Sequence, residues 1–165
     1  MKKLSFVLTL AVVTFMVSCG AKDKRVKLTD PVKFNDLIVD QITETDKAWD
    51  NAIDAEDGQN ATTWSDSLAA RSKRGIATLT NLQPFKKDSA FRDAGIKYLT
   101  HMNNIANKEL KEFIGIIHAD EFTPESEQRA EALLPILDDE REKLFAETES
   151  QQKLFAAKFN ITIAK

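Results

Sequence analysis

The sequence predicts an all-α protein, and three observations carry that prediction. Its 165 residues include only five glycines and four prolines, few for an all-β chain that must turn often. Hydrophobic residues make up 42% of the chain and charged residues 30%, which gives one ordinary domain enough apolar material for a core. Apolar side chains recur every three or four positions over long stretches bounded by helix start and stop signals. Short links between such stretches predict antiparallel neighbours, hence an up-down-up-down four-helix bundle over residues 30–165 with a kinked or broken fourth helix.

The elements follow in chain order. Residues 1–18 carry Lys2 and Lys3, then an apolar run from Leu4 to Val17 interrupted by Ser5, Thr9 and Thr14. A basic start before an apolar run too short for an ordinary membrane helix reads as an export signal. It ends in Met16-Val17-Ser18-Cys19, which resembles the lipobox of bacterial lipoproteins. In that class of signal the cysteine sulfur receives a diacylglyceryl group, the peptide is cut before it, and the new amine takes a further acyl chain such as palmitate. Cys19 is the only cysteine, and a lone thiol in an oxidising compartment has no disulfide partner. Cys19 is therefore the expected lipidation site, and the membrane is the partner it reaches. Two or more acyl chains hold a protein stably, since each buried methylene contributes roughly 0.8 kcal/mol. Loss of residues 1–18 removes two lysines and leaves 21 basic against 26 acidic side chains, a net charge of −5. Nucleic acid is an unfavourable partner for such a body, and an anionic bilayer does not attract it.

Residues 19–29 are polar, without apolar period, and read as a lipidated flexible tether; ten residues reach about 30 Å when extended. Asp30 and Pro31 then supply an N-cap and a first helical position. Phe34, Leu37, Ile38, Ile42, Trp49, Ala52 and Ile53 form the stripe of the first helix, with Gly58 placed to close it. The second helix is expected from about Ala61 to Leu82, on Trp64, Leu68, Ile76, Leu79 and Leu82, and Gln83-Pro84 ends it. Asp88 opens the third, whose stripe runs from Phe91 through Tyr98 and Met102 to Ile117. Thr123, Pro124 and Glu125 open the fourth, which continues through Leu134, Leu137 and Leu144 to Phe159. Pro135 lies inside it, where a missing N–H and a ring clash predict the kink or break. The terminal "NITIAK" reads as a short extended tail. In this topology the tether, the Pro84-Phe85 link and the C-terminus share one end, with Gly58 and Asp120-Glu121 at the other.

The runs "FNDLIVDQ" (34–41), "LQPFKKDSAFRDAGIKYL" (82–99) and "QKLFAAKFNI" (152–161), in this order behind the lipobox, resemble a family of small helical lipoproteins of Bacteroidetes and spirochaete type. The resemblance implies a helical outer-membrane or surface lipoprotein and carries over no catalytic residue. Lys22-Asp23 partly resembles the lysine-acidic pattern that directs some Bacteroidetes lipoproteins to the cell surface, and Gly20 differs from the aspartate that retains others at the inner membrane. Asp66-Ser67-Leu68 and Asp88-Ser89-Ala90 resemble the Asp-Ser/Thr-apolar acceptor of Bacteroidetes O-glycosylation, which makes Ser67 and Ser89 candidate glycan sites. Helix-start chemistry around Asp88 is the competing reading.

No phosphate-cradling glycine loop, nucleophile elbow, HExxH or cysteine pair occurs in the sequence. A di-iron bundle needs Glu-x-x-His, but Tyr98 and Gly115 stand three before His101 and His118. His118, Asp120 and Glu121 offer three donors where a closed metal site needs four, so His118 is read instead as a cation at a helix C-terminus. No catalysis, cofactor or metal is expected. Trp49, Trp64 and His118 fall near the far loop, where the tryptophans suit either a ligand pocket or a plug that seals the core. Asp46, Asp50 and Asp54 form a row of carboxylates, with Arg71 and Arg74 arriving opposite Glu44 and Asp46 once the second helix folds back. Ser72, Arg141, Thr148 and Gln151 or Gln152 occupy slots where the stripes call for apolar residues; they either satisfy one another or line an interhelical pocket. The expected role is a lipid-anchored, non-catalytic envelope module for a protein or small ligand. The alternative is a carrier of a small ligand or metal ion in a distal or interhelical pocket.

Overall fold

A computed structural model describes residues 23–163, so the expected export signal and Cys19 lie outside the described residues. Five helices follow one another: α1 (Pro31–Ile53), α2 (Gly58–Thr80), α3 (Ala90–Asn107), α4 (Glu109–Ile117) and α5 (Pro124–Phe159). No strand occurs among the described residues, and none of their helices is long and apolar enough to cross a membrane.

The start signals operate as their chemistry requires. Asp30 caps α1, its carboxylate accepting from Val32 N at 2.8 Å, with Pro31 in the first turn. Thr123 and Ser126 form a reciprocal capping box on α5: Ser126 N donates to Thr123 Oγ1 at 3.2 Å and Thr123 N to Ser126 Oγ at 2.9 Å. Asn160, in the left-handed region at φ 54°, ends α5, and Ile161 N bonds back to Ala156 O.

Three boundaries differ from expectation. Gly58 does not close α1; it is the first residue of α2, because the preceding Asp57 caps that helix by accepting from Asn60 N at 2.8 Å. α5 runs unbroken through Pro135, whose exposed position leaves the buried stripe Ala130, Leu133, Leu137, Leu144 intact. The break falls instead in the third predicted helix, at Lys108 (φ −138°, ψ −80°). Asn107 Nδ2 there donates to Asn103 O at 2.7 Å, and Lys108 N tightens onto Ile105 O. Asparagine competes for backbone partners in this way, and Glu109 and Glu112 suit the N-terminus of a new helix. Ser65 of α2 donates to Ala106 O at 3.0 Å, so a buried carbonyl beside the break stays satisfied.

The core runs through all five helices. At one end Phe34, Phe85, Phe91, Phe155 and Phe159 interlock, Phe155 lying 4.7–5.8 Å from each of the other four ring centroids. Residues 23–29, expected as tether, are held against this end: Val26 pairs with the α2–α3 link through Val26 N to Asn81 O (2.7 Å) and Gln83 N to Val26 O (2.8 Å). At the other end α2 and α4 approach so closely that a Cβ on Gly58 would stand 2.9 Å from His118 Cβ. The two clusters of links foreseen from sequence are thus brought together, one at each end.

Candidate functional site

α1 and α5 touch only sparingly. The space between them forms a groove of about 320 Å³. Val39 and Ile42 from α1, Phe91 from α3 and Phe145 from α5 supply its apolar surface. Asp46 and Asp50 from α1 and Glu149 from α5 supply negative charge, with Lys47 as the basic residue of the lining. Gln152 closes one end by donating to Asn35 Oδ1 at 3.0 Å, which ties α5 to α1. Beyond the other end Arg141 lies over the Trp49 ring, its guanidinium carbon 5.1 Å from the centroid.

Asp46 is the unusual member. It stands four residues after Ile42 and three before Trp49, in a slot of the α1 stripe that an apolar residue would ordinarily fill. Its Oδ1 accepts from the hydroxyl of fully buried Tyr98 on α3. Burial pushes the Asp46 carboxyl above its ordinary range; the Tyr98 bond and the Arg141 charge oppose that rise, and Asp50 adds to it. Burial first, and then Asp46, hold the Tyr98 phenol far above its usual value, so it is a neutral donor at any physiological pH. Nearby, His101 Nε2 and Arg141 Nε are buried without a hydrogen-bond partner among the described residues. Desolvation keeps the His101 imidazole below its usual range.

Of the other polar residues foreseen inside the bundle, Ser72 and Thr148 are satisfied within their own helices, whereas Gln152 bonds across to Asn35 and Arg141 Nε has no hydrogen-bond partner among the described residues. Ser72 donates to Leu68 O and Thr148 to Leu144 O, each at 2.8 Å within its own helix. Arg71 pairs with Glu44 at 2.5 Å, as the hairpin register foresaw, whereas Asp46 turns inward to Tyr98.

The sequence-predicted ligand residues stand apart from the α1–α5 groove. Trp49 is buried in the core, Trp64 packs against that core with Arg71 6.0 Å from its ring, and His118 caps α4 against Gly58. None of the three lines the α1–α5 groove. Ser67 is half-buried in mid-helix and accepts from Arg71 Nε at 3.1 Å; Ser89 precedes α3, half-buried and without a side-chain cap bond. Cys19 lies outside the described residues. No group of three or more His, Cys, Asp or Glu side chains among the described residues is arranged to hold a metal ion. Sequence reasoning missed Asp46 and Tyr98 as a pair. The available signal was a carboxylate in an apolar slot of one stripe and the chain's single tyrosine in another. Comparison with protein-family models, curated proteins and solved structures finds no match to this chain.

Proposed function

We propose that the protein is an outer-membrane lipoprotein of the bacterial envelope, of the small helical Bacteroidetes and spirochaete type. Its helical body is a non-catalytic binding or interaction module anchored through acylated Cys19. The carrying observation is the sequence Met16-Val17-Ser18-Cys19: the only thiol of the chain directly follows an apolar export-type run and precedes a self-contained helical body. A diacyl anchor leaves such a body water-soluble while holding it at the bilayer. Taken as one interrupted rod, α3 and α4 complete an up-down-up-down bundle of four rods, and a bend at Pro135 belongs to the same proposal. In it the aromatic end, where Val26 meets the α2–α3 link, faces the membrane.

The test is metabolic labelling with an alkynyl palmitate in a Bacteroidetes host, followed by mass spectrometry and detergent phase partitioning. The wild-type chain is expected to carry label on an N-terminal Cys19 and to enter the detergent phase. Cys19→Ala is expected to lose the label and partition into water. An exported chain with a bare thiol at Cys19 overturns the reading. The same spectra report glycans on Ser67 or Ser89 as added hexose masses.

A second reading, carriage of a small ligand, is supported by the α1–α5 groove. The groove is concave and largely apolar with a few placed polar groups, at the small end of the usual range for ligand sites. Its lining presents carboxylates, threonines, an amide and an ammonium.

A further inference from the structure

We propose that the α1–α5 groove binds a small organic cation: an ammonium group on an apolar body, seated with the ammonium between Asp46 and Asp50 and the body against Ile42, Phe91 and Phe145. The proposal deepens the small-ligand reading and is independent of the lipid on Cys19.

Shape, charge and the state of one carboxylate point to this class. The groove presents more apolar than polar surface, which favours a hydrocarbon or aromatic body rather than a hydrated ion. Asp46, Asp50 and Glu149 outnumber Lys47 along its walls, so an anion is repelled. Glu149 already faces Lys153 at 3.7 Å, whereas Asp46 and Asp50 take part in none of the ion pairs formed among the described residues. Asp46 and Asp50 stand one turn apart on the same face of α1, the spacing at which like charges repel and a cation between them relieves both. Asp46 is also half-buried and fixed by the Tyr98 hydroxyl, so its acceptor is positioned before a ligand arrives. A neutral apolar occupant would bury that carboxylate further and supply no charge to offset it. Arg141 lies beyond the lining, over Trp49 and 3.8 Å from Asp138; its charge also reaches Asp46, which leaves Asp50 as the carboxylate without a basic neighbour of this kind.

The experiment uses the chain from residue 19 onward with Cys19→Ala, titrated with n-octylamine, n-octanol and octanoate, which share a tail and differ in head charge. Isothermal titration calorimetry supplies affinity, and backbone amide NMR shifts supply location. Octylamine is expected to bind saturably, one per chain, with shifts confined to residues 39–50, 91 and 145–152. Octanol is expected to bind about tenfold more weakly, octanoate not measurably, and octylamine affinity to fall as salt rises. Asp50→Asn, at an exposed position, and Asp46→Asn are each expected to weaken octylamine about tenfold and leave octanol unchanged. Equal affinity for the three probes, shifts elsewhere on the protein, no saturable binding, or full octylamine affinity in Asp50→Asn overturns the proposal. Because the protein tested is unlipidated, failure here leaves the acylation result standing, and a bare thiol at Cys19 leaves this one standing.

Discussion

Asp46 shows how one residue sets stability and binding against each other. The native protein holds this carboxyl's proton to higher pH than the unfolded chain does, because burial disfavours its charged form. Below the ordinary value of 3.8 both states are protonated, and the group makes no difference. As the pH climbs through the window above 3.8, the unfolded chain ionises first and the native state loses ground. Asparagine at this position keeps an Oδ1 acceptor for Tyr98 and carries no charge. Asp46→Asn is therefore expected to match or exceed the wild type in stability at pH 7, the gain disappearing at pH 3, as read from urea unfolding at both pH values. A loss above about 1 kcal/mol at pH 7 would mean that the charge itself holds α1 to α3. His101 acts with the opposite sign. Its imidazole is held below the usual 6.5, so the stability from keeping it neutral is complete above 6.5 and drains away as the pH falls below it. The same burial that raises the Asp46 carboxyl places it in the wall of the α1–α5 groove.

At the scale of elements, the contact between α2 and α4 depends on a missing side chain. The atom that a Cβ on Gly58 would meet at 2.9 Å is His118 Cβ, which moves only with its backbone. Alanine at the first residue of a helix gains little propensity, because the turn there has few intrahelical bonds to support. Gly58→Ala is therefore expected to destabilise by about 1–3 kcal/mol in thermal unfolding, as overpacked positions do. His118→Gly is expected to recover part of that loss in a double-mutant cycle, because it removes the opposing carbon. Local signals were the legible ones. Asp30-Pro31 and Thr123-Pro124 each state a helix start within a few residues, and the apolar stripes name most of the core. Gly58 was misread because glycine serves helix ends of both kinds, and the cap that decides its role is Asp57, one residue earlier. Of the kink or break expected at Pro135 the break does not occur, and a break occurs instead at Lys108. A proline on the exposed face of a long helix can be carried by the packing on its other side, while a break at a lysine arises from asparagines competing for backbone and from Ser65 on another helix. The groove was illegible because it is a gap between α1 and α5, and no stretch of sequence states how far apart two helices stand.

For the whole molecule, the pinned N-terminal segment would convert the proposed acyl anchor into an orientation. A tether free from residue 19 to residue 29 would let the body sample a wide range above the bilayer. The bonds of Val26 to Asn81 and Gln83 shorten that leash to the six residues between Cys19 and Val26, whose seven residue-to-residue steps span at most about 25 Å. With Cys19 acylated as proposed, the end carrying Val26, Phe85 and Lys86 is expected to stay close to the lipid headgroups, while α1, 23 residues long and so about 35 Å, carries Gln59 and its neighbours away from them. Under the proposed acylation Cys19 has no free thiol, so a cysteine introduced elsewhere takes a maleimide dye selectively. In vesicles doped with a headgroup nitroxide quencher, a dye at Lys86→Cys is expected to be quenched strongly and a dye at Gln59→Cys hardly at all. Deleting the Val26 pairing by Val26→Pro, which removes the N–H that Asn81 accepts, is expected to narrow that difference because the leash lengthens to the start of α1. Equal quenching at the two sites in the unaltered chain would mean that the body lies flat or tumbles. The α1–α5 groove, which runs along the long axis, would then meet the membrane rather than the space beyond it.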